Sequence, residues 1–182
     1  VIAKFGTGRC GPSRSRRRLP AAGRAAAAGT LGLVMLHIFI DADACPVKNE
    51  VYRVAEREGL EVTLVSNSPM RIPETPGFSI EVVGGGFDAA DDWIVDHVQP
   101  DDIVITADVL LADRCLKSGA RVLGTSGKPF TNDNIGSAVA TRNLMADLRG
   151  AGEITGGPRP LTKRDRSLFL QNLHQMIQSI CR

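Results

Sequence analysis

The chain has 182 residues, of which 43% are hydrophobic and 23% charged, as is typical of one compact globular domain. No stretch approaches the run of about 18 apolar residues that a membrane-spanning helix needs, so a soluble protein without a membrane partner is expected. Four scattered cysteines without a CxxC pair and three scattered histidines exclude a disulfide framework and a zinc site, and they favour a cytoplasmic location.

The net charge of +2 hides an asymmetry along the chain. Residues 1–34 hold seven Lys and Arg and no acid, and residues 35–140 hold eight bases against 17 acids. Residues 141–182 hold seven bases and three acids. The sequence therefore describes an acidic body followed by a basic C-terminal segment.

The first 34 residues are rich in Arg, Ala, Gly and Pro and show no hydrophobic periodicity. Such a segment cannot bury a core, so disorder is expected over 1–34. A transit-like peptide and a nucleic-acid-binding arm are alternatives. A non-native extension is favoured because Met35 stands just before the first predicted strand. We therefore expect one domain over 35–182.

From Met35 onward, predicted strands and helices alternate. The hydrophobic pattern predicts, in chain order, a strand at 36–40, a helix from Pro46 to Gly59, a strand at 61–66, a proline-rich loop at 67–77, a strand at 79–83, a helix at 88–98, a strand at 102–106, a helix at 110–119 and a strand at 120–124. Two further helices are predicted at 134–150 and 162–180, within a basic helical C-terminal segment over 141–182. Thr162 and Asp165 predict a capping box at the last helix.

This alternation predicts an α/β fold. A mostly parallel central sheet of about five strands should carry helices on both faces and be followed by the C-terminal helices.

Aspartates from three segments are expected to meet at one edge of this sheet, because ligands of open α/β sheets bind beyond the carboxyl ends of the strands. The aspartates are Asp41 and Asp43 after the first strand, Asp88, Asp91 and Asp92 in the helix at 88–98, and Asp108 after the fourth strand. Clustered carboxylates repel one another, and a hard divalent cation removes that penalty. The cluster therefore predicts a Mg²⁺ or Mn²⁺ site suited to phosphodiester or phosphoryl chemistry.

Several of these aspartates also have a structural explanation. Asp88 suits a helix N-cap, and Asp43 suits a cap for the helix that Pro46 opens. Asp91, Asp92 and Asp96 suit a solvated helix face. Asp41 and Asp108, directly at strand ends, have the weakest structural explanation.

Six motifs together resemble the YaiI/YqxD family of uncharacterised bacterial proteins. They are, in order, DADACPVK, VSNSPMRIP, GGGFDAADDWIVDH, DIVITADVLLADRCL, TGGPRP and RDRSLFLQNL. The resemblance covers essentially all of 35–182 and excludes 1–34. The family is usually grouped with PIN-like and NYN-like domains, whose characterised members are often Mg²⁺- or Mn²⁺-dependent ribonucleases. The resemblance therefore implies a PIN-like fold and metal-dependent ribonuclease chemistry as the candidate activity, although the family supplies no established substrate. If the protein is catalytic, RNA is the expected substrate.

Carried over residue by residue, the resemblance assigns the Ser/Thr-x-Asp that closes the fourth strand to Thr106 and Asp108. NYN-type domains often carry a further aspartate where this chain has Leu110, and Asp113 is the candidate substitute. Together, the residues and the resemblance predict catalytic roles for Asp41, Asp43, Asp88 and Asp108, and metal ligation by these four with Asp92 and Asp113.

Substrate contacts are predicted from two further segments. Those near the acidic edge of the sheet are Ser66, Asn67, Arg71 and Thr106. Those in the basic stretch at 159–166 are Arg159, Lys163 and Arg164, which suit a phosphate backbone or an ordinary solvated helix start.

Two other functions fit parts of the sequence. A haloacid-dehalogenase-like phosphatase would use Asp41 as nucleophile and Asp43 as general acid. Against it, Cys45 stands at the fifth motif position, and no Lys lies between Ser66 and Asp108. A non-catalytic RNA-binding or regulatory module would use the basic stretch, but 4% aromatic content is low for a base-stacking platform. A metal-dependent ribonuclease best accommodates all three acidic segments.

Overall fold

The computed structural model describes residues 36–43, 45–86, 88–151 and 160–181. They lie within one compact unit, Leu33–Arg182. The predicted N-terminal extension, 1–34, lies outside the described residues, as does the predicted phosphate contact Arg159.

Strands and helices alternate as predicted. The strands are β1 (His37–Asp41), β2 (Glu61–Ser66), β3 (Phe78–Val82), β4 (Ile103–Thr106), β5 (Arg121–Gly124) and β6 (Pro129–Phe130). The helices are α1 (Lys48–Glu58), α2 (Ala89–His97), α3 (Val109–Lys117), α4 (Asn132–Gly150) and α5 (Lys163–Ile180). The predicted fold class is confirmed, with small shifts at the ends of the elements and with β6 added.

The strands form a six-stranded sheet in the order β3-β2-β1-β4-β5-β6. All neighbouring pairs are parallel except β5 and β6. The chain winds outward from β1 to β3 and then returns to place β4 on the other side of β1. The direction of winding therefore reverses between β1 and β4, where doubly wound sheets open a crevice for ligands.

Helices cover both faces of the sheet because the central strands are apolar on both sides. In β1, Ile38 and Ile40 belong to the layer that includes α1 and α5, whereas Phe39 belongs to the layer that includes α2 and α3. None of the three side chains is more than 5% exposed. The short apolar run at the start of the domain is thus a strand buried on both faces, as its sequence predicts.

The helix ends follow local sequence signals. Gly59 ends α1 in the left-handed conformation, with φ of 68°, and its backbone N–H donates to the Ala55 carbonyl. At α5, the Thr162 N–H donates to Asp165 Oδ2 at 2.8 Å, and the Asp165 N–H donates to Thr162 Oγ1 at 3.2 Å. The predicted capping box is confirmed.

Helix α4 is held to the rest of the domain by its first half. Ile135 is its one buried residue, and Val139 packs on the same apolar layer as α2 and α3. In the second half, Leu144 and Leu148 are exposed. Among the described residues, none of the helices combines the length and apolar character needed to cross a membrane.

The backbone of Gly127, in the turn between β5 and β6, packs directly against the backbone of α5. Its φ is +83°, and a Cβ atom there would lie 2.7 Å from the backbone N of Phe169. We expect Gly127→Ala to lower the free energy of unfolding by at least about 2 kcal/mol, because the substitution strains the turn and displaces α5.

Gly136→Ala in α4 is the matched control, because nothing lies within 4 Å of the added Cβ. It should raise the free energy of unfolding by about 0.5 kcal/mol through helix propensity. Urea denaturation of both variants measures the difference, and equal effects would show that Gly127 does not hold α5.

Candidate functional site

Asp41 ends β1 at the point where the winding of the sheet reverses. The residue is 7% exposed, and its Oδ2 accepts a 2.8 Å hydrogen bond from Thr106 Oγ1 at the end of β4. The same hydroxyl accepts the Asp108 N–H at 2.9 Å. A chain of hydrogen bonds therefore runs from Asp108 through Thr106 to Asp41 and fixes the ends of two neighbouring strands.

Asp108 lies just after the end of β4 and is also the N-cap residue of α3. Its Oδ1 accepts the backbone N–H groups of Leu110 at 2.6 Å and Leu111 at 3.3 Å. This cap is a structural role that the sequence did not predict for Asp108. Its Oδ2 accepts no hydrogen bond from another described residue, which leaves that oxygen available to a ligand.

Asp43 does not cap the first helix, because α1 begins at Lys48 with Val47 as its N-cap. Its oxygens instead accept hydrogen bonds from Ser66 Oγ at 3.1 Å and Asn67 Nδ2 at 2.8 Å, at the end of β2. Ser66 is fully buried. These two polar residues, predicted as phosphate contacts, therefore orient a carboxylate of the acidic edge.

Helix α2 directs its acids in two directions. Asp88 occupies the N-cap position without a side-chain capping hydrogen bond, and Asp91 is partly buried beside it. Asp92 lies on another side, where its Oδ1 accepts a hydrogen bond from Arg114 Nη2 at 2.6 Å. Of the two neighbouring aspartates expected at this edge, Asp91 therefore lies inward, whereas Asp92, the predicted metal ligand, is exposed and pairs with Arg114.

The three acidic segments meet at one cavity of about 470 Å³, which we call the acidic cavity. Its carboxylates are those of Asp41, Asp43, Asp88, Asp91 and Asp108. Asn67, Leu110, Arg114 and Arg142 are among the other residues that line it. Their position beyond the carboxyl ends of β1, β2 and β4 places the cavity where ligands of doubly wound sheets bind.

Other predicted site residues lie elsewhere. Asp113 pairs with Lys117 along α3 at 2.6 Å, and it does not line the acidic cavity. Arg71, Lys163 and Arg164 are exposed and do not line it either.

Three charged residues of the cavity were not among the predicted ligands and contacts. Asp91 had a usable signal, since it lies three residues after Asp88 on the same helix face. Arg114 follows the cavity residue Leu111 at the same spacing. Arg142 had no local signal, because only the packing of α4 brings it to the cavity.

The carboxylates of the cavity influence one another electrostatically. Burial raises the pKa of Asp41, as do the neighbouring charges of Asp43 and Asp108, while the Thr106 hydrogen bond opposes the shift. Burial, followed by the charges of Asp41, Asp108 and Asp88, raises the pKa of Asp91 to about 6, and Arg114 acts in the opposite direction. The cavity therefore concentrates negative charge whose repulsion is only partly offset.

The chemistry of the donors suits a hard cation, because the acidic groups are carboxylates and, among the described residues, no thiol or imidazole lines the cavity. The carboxylates of the cavity are, however, too far apart in this structure to bind one ion together. Within the described part of the chain, no three His, Cys, Asp or Glu side chains are arranged to hold a metal ion.

The burial of Asp91 and its repulsion by neighbouring carboxylates predict a pH-dependent stability. The folded chain binds the Asp91 proton more tightly than the unfolded chain, so the free energy of unfolding falls as the pH rises from its ordinary pKa of 3.8 to about 6. Asp91→Asn should flatten this slope and raise the free energy of unfolding at pH 7.5 by about 1 kcal/mol, after allowance for screening by water.

Asp96→Asn, an exposed change on the same helix outside the cavity, is the control. Urea denaturation between pH 4 and pH 8 measures both variants. A lower stability of Asp91→Asn than of wild type at pH 7.5 would contradict the repulsion.

The sequence is similar to those of known bacterial proteins. The sequence profile of the uncharacterised YaiI/YqxD family matches residues 39–179. A UPF0178 protein of Rhodopseudomonas palustris (strain HaA2) is 59% identical over 145 residues, which cover 80% of this chain and 88% of that protein.

Two further bacterial proteins are similar to the chain over most of its length. A UPF0178 protein of Bradyrhizobium sp. (strain ORS 278) is 54% identical over 145 residues, which cover 80% of this chain and 88% of that protein. A UPF0178 protein of Nitrobacter winogradskyi is 52% identical over 150 residues, which cover 82% of this chain and 96% of that protein. No solved structure matches the chain.

Proposed function

This chain belongs to the YaiI/YqxD family, and we propose that it is a divalent-metal-dependent ribonuclease of PIN/NYN type. The observation that carries the proposal is the placement of five aspartates in one cavity at the reversal point of the sheet. RNA is the proposed substrate because characterised PIN-like and NYN-like domains are often ribonucleases, and the PIN-like assignment is part of the same proposal.

Mg²⁺ or Mn²⁺ is the proposed cofactor. Asp41, Asp88, Asp91 and Asp108 would hold it, since the charges of the other three raise the pKa of Asp91 and a cation would relieve that repulsion. Asp88 is exposed and its carboxylate makes no hydrogen bond with another described residue, so its side chain is able to rotate toward an ion. The open spacing of the carboxylates requires such a rotation.

A bound cation would activate water for attack on the phosphodiester and would stabilise charge on the phosphate oxygens. The residues of the chain contribute orientation. Thr106 holds Oδ2 of Asp41, and the first backbone N–H groups of α3 hold Oδ1 of Asp108. Ser66 and Asn67 hold Asp43 at the rim in the same way. Three carboxylates of the cavity are thus oriented before a substrate arrives, which lowers the reorganisation needed for catalysis.

Cleavage of single-stranded and structured RNA in Mn²⁺ tests this function. Asp41→Asn and Asp108→Asn should each lower kcat/KM by at least about 100-fold, because both remove a charged ligand from the cation. Asp96→Asn should leave kcat/KM unchanged, because Asp96 does not line the cavity.

Wild-type activity in Asp41→Asn would contradict a catalytic role of the cavity. Hydrolysis of a phosphomonoester, with an acyl-phosphate trapped on Asp41, would instead support the haloacid-dehalogenase-like phosphatase. RNA binding without cleavage in any metal would support the non-catalytic module.

Cation binding has a readout that does not depend on activity. Mn²⁺ at 100 times its Kd should stabilise the folded chain by about 2.7 kcal/mol, measured as a rise in Tm. The rise should be larger at pH 7.5 than at pH 5, because protonated carboxylates bind metal weakly.

Asp41→Asn should abolish this rise in Tm. Thr106→Val, which removes the hydrogen bond to Asp41 Oδ2, should weaken cation affinity by about tenfold. If Mn²⁺ raises the Tm of Asp41→Asn as much as that of wild type, the cation binds elsewhere.

A further inference from the structure

Arg142 lines the acidic cavity, and its positively charged side chain has no ion-pair or hydrogen-bond partner among the described residues. We propose that Arg142 binds a backbone phosphate of a single-stranded nucleic acid, next to the phosphodiester that lies over the aspartates. The inference rests on the proposed function, because it takes the acidic cavity as the place where the strand is cleaved.

Helix α4 aims Arg142 into the cavity. Ile135, Val139 and Arg142 follow one another at i, i+4 and i+7, which places them on one face of the helix. Ile135 and Val139 pack on the apolar layer shared with α2 and α3. The packing that attaches α4 to the domain therefore also determines the direction in which Arg142 extends.

The two arginines of the cavity differ in their partners. Arg114 Nη2 donates to Asp92 Oδ1 at 2.6 Å, so its charge is partly committed to α2. The Arg142 side chain is exposed and makes no hydrogen bond or ion pair with another described residue, although five carboxylates line the same cavity. Its planar guanidinium is therefore available for a bidentate contact with an anion, and phosphate is the anion that a nuclease binds.

The rest of the cavity indicates the form of the nucleic acid. Its volume of about 470 Å³ suits one small ligand, such as a single nucleotide unit, rather than the side of a duplex. Leu110 is 38% exposed and lines the cavity, where it offers an apolar surface to a sugar or a base. An aliphatic contact does not read base edges, so recognition should tolerate any sequence.

Binding of a labelled single-stranded RNA, measured by fluorescence anisotropy in Ca²⁺ at several salt concentrations, tests the contact. Arg142→Ala should raise Kd about tenfold. It should also reduce the slope of log K against log salt by about 0.7, the value for one phosphate contact on a single strand. Arg142→Lys should keep the salt slope and recover part of the affinity.

Arg53→Ala, an exposed change on α1 in the opposite layer of the domain, is the matched control for loss of charge. It should leave both Kd and the salt slope unchanged. In Mn²⁺, Arg142→Ala should raise KM with little change in kcat, because the contact is present before and during cleavage. The same strand annealed to its complement should bind more weakly than the single strand.

The outcomes separate this inference from the proposed function. If the wild type cleaves RNA but Arg142→Ala matches Arg53→Ala in Kd, salt slope and KM, the phosphate contact is overturned and the nuclease stands. If binding depends on Arg142 but no metal supports cleavage, the nuclease is overturned and the contact stands. Equal affinity for the duplex would overturn the single-strand assignment, and a wild type that binds no nucleic acid would overturn both proposals.

Discussion

The hydrogen bond from Thr106 to Asp41 is the interaction on which the acidic cavity depends. It joins residues 65 positions apart in the chain, across the two strands between which the winding of the sheet reverses. A carboxylate as buried as that of Asp41 is costly without a hydrogen-bond partner, and Thr106 supplies one. Because the same hydroxyl accepts the Asp108 N–H, the bond also fixes where α3 begins. Strand pairing, helix start and carboxylate orientation are thus coupled at one point.

Around this point the domain accumulates charge that works against its own stability. Burial and the charges of neighbouring carboxylates raise the pKa of Asp91 to about 6. Only two basic side chains, those of Arg114 and Arg142, are among the described residues that line the cavity with the five aspartates. Arg114 offsets part of the charge from the side of α3, but its closest contact is with Asp92 outside the cavity. Perturbed titratable groups in a cleft are more typical of functional sites than of structural ion pairs. The same excess of negative charge is what the proposed divalent cation would neutralise.

The fold was largely predictable because its signals are local. Short apolar runs, the glycine that ends α1 and the Thr162–Asp165 capping box each depend on neighbours within a few residues. Strand β6 had no such signal. This strand has two residues and pairs antiparallel to β5. It follows a turn in which Gly127 has a positive φ and lies against the backbone of α5. Local backbone hydrogen bonds of Gly124 with Gly127 and Lys128 close the turn, and Asn172 of α5 donates a side-chain hydrogen bond to the Gly127 carbonyl.

The sequence by itself determined that Asp41 and Asp108 stand at one sheet edge, because the carboxyl ends of parallel strands coincide. Tertiary structure decided the rest of the cavity. The orientation of α2 turned Asp91 inward and Asp92 toward Arg114, which neighbouring positions on one helix do not reveal. Asp43 joined Ser66 and Asn67 rather than capping α1, since β2 lies beside β1. Arg142 reached the cavity because α4 packs through Ile135 and Val139, and such long-range contacts leave no local pattern in the sequence.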